Sequence, residues 1–246
     1  MALSLPKKIF AKFATACFCL LLLTAPACGE GFLEPSEIPD SFAFLPPPPQ
    51  AGSPEYVRDM SVFWLTRAEV GSPRWQEAAF DADIDDNWPE FFAESFGLTI
   101  SRRLTPATWE LLLRLQKDAD ATAKSAKVAY GRVRPFVLFN QPAGSTCAPG
   151  QEKFLRHNGS YPSGHSVLGW SMALLLAEIS PERQEPVISR GLDYGFSRVV
   201  CGVHWVSDVE AGRTAAAALV IRLHGDPEFA ALLDKAKAEI SLLRAR

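Results

Sequence analysis

Histidine is scarce in this chain, with four in 246 residues. No stretch alternates apolar and polar residues in the manner of a half-buried strand, so sandwiches and open barrels built from such strands are excluded. No internal repeat recurs, which removes solenoids and propellers. Neither an H-E-x-x-H pair nor a Cys/His set with zinc spacing occurs. Basic residues are not in excess, at 25 against 28 acidic ones, and no basic stripe stands out, so the chain is not a general binder of nucleic-acid polymers. Apolar runs are short too. The longest, Phe13 to Leu23, falls below the about 20 residues that a spanning helix needs.

That run has a setting of its own. Lys7, Lys8 and Lys12 precede it and Ala25-Pro26-Ala27 follow, which is the basic, apolar and A-x-A order of an export signal over residues 1–27. Its removal leaves 22 basic against 28 acidic residues, so any anion site has to be a local gathering of cations. Cys17 and Cys19 leave with it. Cys28 then stands where a lipoprotein carries its acylated cysteine, although Ala25-Pro26-Ala27 is a poor lipobox. A soluble periplasmic form and a form anchored to the membrane through Cys28 both stay open. Cys147 and Cys201 remain as a candidate disulfide suited to an oxidising compartment, or as two buried thiols.

Residues 28–54 are rich in Pro, Ser and Gly, with Pro46 to Pro49 in a row, and read as an extended arm on the surface. The chain then becomes helical. Tyr56, Met60, Phe63, Trp64 and Val70 repeat at near-helical spacing over 55–70. Ser72-Pro73 reads as a helix start, with the helix running through about Ile84. Asn87 to Phe96 reads as a short helix with an aromatic face. Thr105-Pro106 opens a long helix toward Tyr130, with Lys127 near its end. Residues 136–161 form a long connection. Val167 to Ile179 is apolar nearly all round and therefore central, and Ser180-Pro181 starts a helix ending near Arg198. Apolar and amphipathic helices follow from His204 to about Leu223 and from Pro227 onward. The expected fold is all-α: one helical bundle over 55–246 with a buried central helix pair, behind a Pro-rich arm.

Three motifs carry the chemistry. Lys127 and Arg134-Pro135 give K-x6-R-P, Pro162-Ser163-Gly164-His165 gives P-S-G-H, and Ser197-Arg198, His204 and Asp208 give S-R-x5-H-x3-D. Three fixed cations, a turn rich in backbone donors at a helix start, two histidines and one carboxylate suit an oxyanion with several charged oxygens. Arg presents a fork that fits phosphate, Lys adds a point charge, and a helix N-terminus offers free N–H groups.

In their order and spacing these motifs resemble those of the type 2 phosphatidic acid phosphatase superfamily, which also holds the vanadium haloperoxidases. The longer runs Gly159-Ser160-Tyr161-Pro162-Ser163-Gly164-His165 and Ser197-Arg198-Val199-Val200-Cys201-Gly202 before His204-Trp205 resemble one branch, the class A bacterial non-specific acid phosphatases. The similarity extends from Leu45-Pro46-Pro47-Pro48-Pro49 to Lys235-Ala236-Lys237-Ala238-Glu239. It implies an all-α domain, hydrolysis of phosphate monoesters such as nucleotides and small organic phosphates, and a homodimer; three cations that can do the work of a metal leave no metal or other cofactor expected. His204 is then the candidate nucleophile, one helical turn from Asp208, which would hold its Nδ1 proton and leave Nε2 free. His165 is the candidate general acid and, later, the base for water. Lys127, Arg134 and Arg198 would clamp the oxygens, helped by Ser163 and the Gly164 amide.

Other candidates are weaker. Tyr161 and Trp205 read as packing residues, and His157 and His224 as surface residues. Asp81, Asp83, Asp85 and Asp86 lack the glycine and distal glutamate of a calcium loop, and read as a solvated helix end. Three rival functions share some of these residues. A lipid phosphate phosphatase or a vanadate-dependent haloperoxidase would use the same clamp. A non-catalytic phosphate-binding module would leave His165 and the His204–Asp208 pair without a purpose.

Overall fold

The computed structural model describes residues 30–85 and 88–245; the export signal and Cys28 lie outside the described residues, as do Asp86 and Asn87. Among the described residues the regular structure is helical, without a strand. In chain order the α-helices are α1 Ser41–Phe44, α2 Pro54–Thr66, α3 Pro73–Ala82, α4 Ala93–Phe96, α5 Pro106–Tyr130, α6 Pro135–Leu138, α7 Glu152–Leu155, α8 Gly164–Ile179, α9 Gln184–Val200, α10 Val206–His224 and α11 Pro227–Arg244.

Local chemistry sets most of these boundaries. Ser53 and Ser72 each accept a hydrogen bond from the third helical amide, Tyr56 and Trp75, and a proline occupies the first helical position behind each. α3 stops at Ala82, two residues short of the expected Ile84. The expected helix over 87–96 is, in its described part, a 3-10 turn Glu90–Phe92 followed by α4. The segment after Ser180 also begins as a 3-10 turn, Pro181–Arg183, before α9. Pro186 sits in the first turn of α9, where its missing N–H has no helical partner to lose. The connection 136–161 has more structure than its prolines and glycines suggest. It contains α6, a 3-10 turn Pro149–Gln151 and α7, and buried Glu152 gathers Gly144 N (3.0 Å), Thr146 N (3.0 Å) and Thr146 Oγ1 (2.8 Å).

The start of α5 is capped from far away in sequence. Thr105 Oγ1 is occupied by Ser101 N at 2.8 Å, so the free amides of Ala107 and Thr108 donate instead to Glu239 of α11, at 2.9 and 3.0 Å. The arm is tied down in the same way. Phe32 N donates to Asp118 Oδ2 at 2.9 Å, Arg114 reaches Gly31 O at 2.9 Å, and Tyr161 OH donates to Pro46 O at 2.8 Å. Residues 30–53 therefore lie as a strap over α5 and the loop before α8.

α8 occupies the centre, buried along almost its whole length, with α5, α9 and α10 packed around it. Glycines set how closely these helices approach. A Cβ on Gly169 of α8 would come within 2.1 Å of the Tyr194 ring on α9. A Cβ on Gly212 of α10 would meet Ser163 O at 2.8 Å and Ser166 Cβ at 2.7 Å. The absent side chain at 212 thus lets α10 lie directly against the first turn of α8. A disulfide, Cys147–Cys201, joins the connection before α8 to the turn after α9 with its Cα atoms 4.7 Å apart.

Gly212→Ala forces that first turn away from α10. Its expected cost is about 1–3 kcal/mol, the range for overpacking a close-packed contact. A urea titration should show a lower midpoint at unchanged slope; an unchanged midpoint would refute the close approach.

Candidate active site

The three motifs meet because helix ends meet. Lys127 lies in the last turn of α5, Arg134 at the entry to α6, Ser163 to His165 at the start of α8, Arg198 in the last turn of α9, and His204 and Asp208 at the start of α10. The third motif is bonded directly to the second, through Ser163 N to Asp208 O at 3.0 Å. Between α9 and α10 the chain reverses at Gly202, whose φ of +80° lies in the left-handed region that only glycine adopts freely. Arg67 holds this turn from outside, donating to Val199 O at 3.3 Å and Val200 O at 2.5 Å.

Hydrogen bonding fixes the state of His204. Arginine only donates, and Arg134 Nη1 stands 3.0 Å from His204 Nε2, so Nε2 presents its lone pair. The proton is therefore on Nδ1, which donates to Asp208 Oδ2 at 3.2 Å. The same carboxylate oxygen accepts Trp205 N at 2.9 Å, so Asp208 also closes the start of α10. This is the tautomer expected from the i, i+4 spacing. His204 is 3% exposed, and burial followed by the charges of Arg134, Lys127 and Arg198 holds its pKa well below the ordinary histidine value.

Three cations surround the ring. Arg134 is anchored by Asn158 O (2.9 Å), Val203 O (3.0 Å) and Gly159 O (3.2 Å). Lys127 Nζ donates to Pro162 O at 2.7 Å and Gly159 O at 3.1 Å. Arg198 differs from both. It is fully buried, yet none of its three guanidinium nitrogens has a hydrogen-bond partner among the described residues. A buried charge without an acceptor is costly, and an oxyanion is the group that fits it. Burial lowers Arg198 to about 10 and Arg134 to about 9. Burial and then Arg134's charge lower Lys127 to about 7.

His165 stands at the rim, only partly covered, with its ring nearly parallel to that of Tyr194 at 6.4 Å. Its Nε2 faces Ala82 O at 3.3 Å. Desolvation within the cluster and then the charge of Arg198 lower its pKa well below the ordinary histidine value. Ser163 Oγ caps α8 by accepting Ser166 N at 3.2 Å and Ser166 Oγ at 2.9 Å, which leaves its own proton to donate. Every site residue expected from the motifs thus belongs to this cluster. Tyr161 and Trp205 are buried packing residues, and His157 and His224 are exposed.

The acidic run needs one correction. Asp81 is not solvated but fully buried, pairing with Arg190 and accepting from Ser197 Oγ at 2.5 Å. α3 delivers it beneath Arg198, where its charge opposes the lowering of the Arg198 pKa. Tyr194 and Arg132 were also missed. Tyr194 lies one helical turn before Arg198 on α9, a spacing that places the two side by side. Arg132 falls inside the variable gap of K-x6-R-P, which the pattern leaves blank.

Comparison with known proteins agrees with this geometry. Residues 112–228, which span every motif, match the model of the PAP2 superfamily. A non-specific acid phosphatase of Providencia stuartii is 41% identical over 215 residues, 87% of this chain and 86% of the relative. A non-specific acid phosphatase of Salmonella typhimurium (strain LT2) is 45% identical over 215 residues, 86% of this chain and 84% of the relative. A crystal structure of a bacterial vanadium dependant iodoperoxidase shares the fold at a TM-score of 0.54 and 18% identity, covering 76% of this chain and 53% of that one.

A dianion bound here restores the Lys127 ammonium, so the complex holds more protons than the free protein. Affinity then rises as pH falls from the ordinary lysine value toward about 7. Calorimetric titration with inorganic phosphate, a dianion throughout, should give a Kd that tightens between about pH 10 and about pH 8. Lys127→Met should lessen that slope. A wild-type Kd that is flat, or tightens toward pH 10, would contradict the arrangement.

Proposed function

The chain belongs to the PAP2 superfamily, among its non-specific acid phosphatases, and on that premise we propose how it works. The enzyme is an acid phosphatase. In our reading it hydrolyses phosphate monoesters through a phosphohistidine on His204, without a metal. One observation carries the reading: the fully buried Arg198 guanidinium, without a protein acceptor, stands in the same cluster as an imidazole whose lone pair is fixed on Nε2.

The steps follow from the residues. A substrate's non-bridging oxygens take hydrogen bonds from Arg198, Arg134, Lys127, Ser163 and the Gly164 amide, and their charge offsets three buried cations. Arg134 exchanges its bond to His204 Nε2 for one to the phosphoryl oxygen, which frees the lone pair. Nε2 attacks phosphorus, the P–N bond forms, and the P–O bond to the alcohol breaks. The departing oxygen takes a proton from His165, whose pKa the bound anion raises. Asp208 stabilises the cationic ring of the intermediate through Nδ1–H. Water then gives a proton to His165 and attacks phosphorus, the P–N bond breaks, and phosphate leaves. His165 has to swap its contact with Ala82 O for the leaving oxygen, a change that its place at the rim allows.

Nucleotides and small organic phosphates are the proposed substrates, supported by the relatives' description as non-specific. The Cys147–Cys201 bond supports the reading of an exported, periplasmic enzyme. The homodimer rests on the resemblance alone, and light scattering tests it.

His204→Ala should lower kcat on an aryl phosphate by about 10^4-fold or more, and His165→Ala by about 10^2- to 10^4-fold. EDTA should leave the wild type active. Rapid alkaline quench with labelled substrate, which preserves an acid-labile P–N bond, should trap label on wild-type protein and none on His204→Ala. Activity lost to EDTA and restored by a divalent metal, or a fully active His204→Ala, would sink the mechanism.

A further inference from the structure

Arg132 is two residues past the end of α5, and both arms of its guanidinium are committed. Nη1 donates to Asp208 Oδ1 at 2.6 Å and to Ser207 Oγ at 2.7 Å, while Nη2 donates to Asp59 Oδ2 at 2.8 Å. Its guanidinium carbon lies 5.4 Å from the centre of the Trp205 ring. Asp59 comes from the middle of α2 and is 1% exposed, as deeply placed as Asp208 itself. Its other oxygen accepts Ser207 N at 3.0 Å, and Ser207 Oγ donates to Oδ2 at 2.5 Å. Arg132 also offers its carbonyl to Ser160 N at 2.9 Å, in the approach to the P-S-G-H turn.

We infer that Arg132 and Asp59 are positioning residues for the nucleophile: together they fix the Asp208 carboxylate, and through it the direction of His204 Nε2. The inference rests on the phosphohistidine reading above. Asp208 Oδ2 is taken by His204 Nδ1 and Trp205 N, so Oδ1 is the oxygen that sets the rotation of the carboxylate, and Arg132 holds it. An arginine held by one partner alone would swing. Asp59 fixes the second arm and, through Ser207, ties it to the first turn of α10 that carries Asp208. Two buried carboxylates thus bear on one imidazole nitrogen, Asp208 directly and Asp59 through Arg132. A lysine at 132 could reach one acid but lacks the planar fork needed for both. The cation also stands behind the nucleophile, on the side of the Asp208 carboxylate, so it orients the ring without clamping substrate oxygens.

This role separates from simple packing in kinetics. Asp59→Asn and Arg132→Ala are prepared in the full chain, and kcat is counted per folded molecule on an aryl phosphate. Loss of a partner that orients a working histidine lowers activity by about 10- to 100-fold. Here the loss should fall on kcat, with KM and the inhibition constant of inorganic phosphate changing less than about threefold. Millimolar guanidinium should recover part of the lost rate in Arg132→Ala and none in Asp59→Asn, which still has its own guanidinium. The inference is overturned by kcat within about twofold of wild type in both variants, or by a loss that falls on KM. A loss in Arg132→Ala that guanidinium leaves untouched overturns it as well. His204→Ala run alongside separates the two readings. If that variant is active, the phosphohistidine reading fails; if it is dead while both positioning variants run at full rate, only this inference does.

Discussion

A fully buried guanidinium with no protein acceptor is the constraint from which the rest of this molecule can be understood. Arg198 sits in the last turn of α9, and beyond the effect of burial its charge lowers the proton affinity of Arg134 and, together with Arg134, that of Lys127. Like charges gathered in a low-dielectric interior repel, so the fold holds them there at the expense of stability. What holds them is backbone. Four carbonyls receive Arg134 and Lys127, those of Asn158, Gly159, Pro162 and Val203, and all belong to connections and not to helices. Carbonyl dipoles moderate the charge without neutralising it, which preserves its pull on an anion.

Two carboxylates complete this economy from behind, one for each half of the chemistry. Asp208 fixes the tautomer of His204 and is itself held by Arg132. Asp81 lies beneath Arg198 but is turned toward Arg190 and Ser197, so it tempers the guanidinium from a distance and leaves its hydrogens free. Had Asp81 paired with Arg198 directly, the strongest anion-binding group would be satisfied internally. The serine of the S-R motif therefore serves by occupying the carboxylate next to its arginine.

Much of this was readable in the residues. Ser72-Pro73 and Thr105-Pro106 mark helix starts with local chemistry, and both helices begin there. The apolar sweep of Val167 to Ile179 announces the central helix because almost nothing on it but Glu178 favours water. The motif residues were legible because their types at those spacings suit a single anion. Illegible parts depend on long-range pairing. Asp81 sits in a run of acids that reads as solvent-facing, and only the arrival of Arg190 and Ser197 from α9 makes burial tolerable. Arg132 lies in a gap the motif treats as variable, and its partner Asp59 is on another helix. The connection 136–161 looks like loop by composition, but Glu152 gathers its amides and a disulfide ties it to the turn after α9. Thr105 marks the right place for the start of α5 but does not cap it.

That last detail has a consequence for how the molecule comes into being. The helix that carries Lys127 is finished at its beginning by Glu239, 132 residues further along the chain from Ala107. During synthesis nearly the whole polypeptide must emerge before those amides find their carboxylate. Securing α5 accordingly waits for α11: a nascent fragment ending before that helix already contains every motif residue, yet leaves the start of the helix that carries Lys127 without its cap.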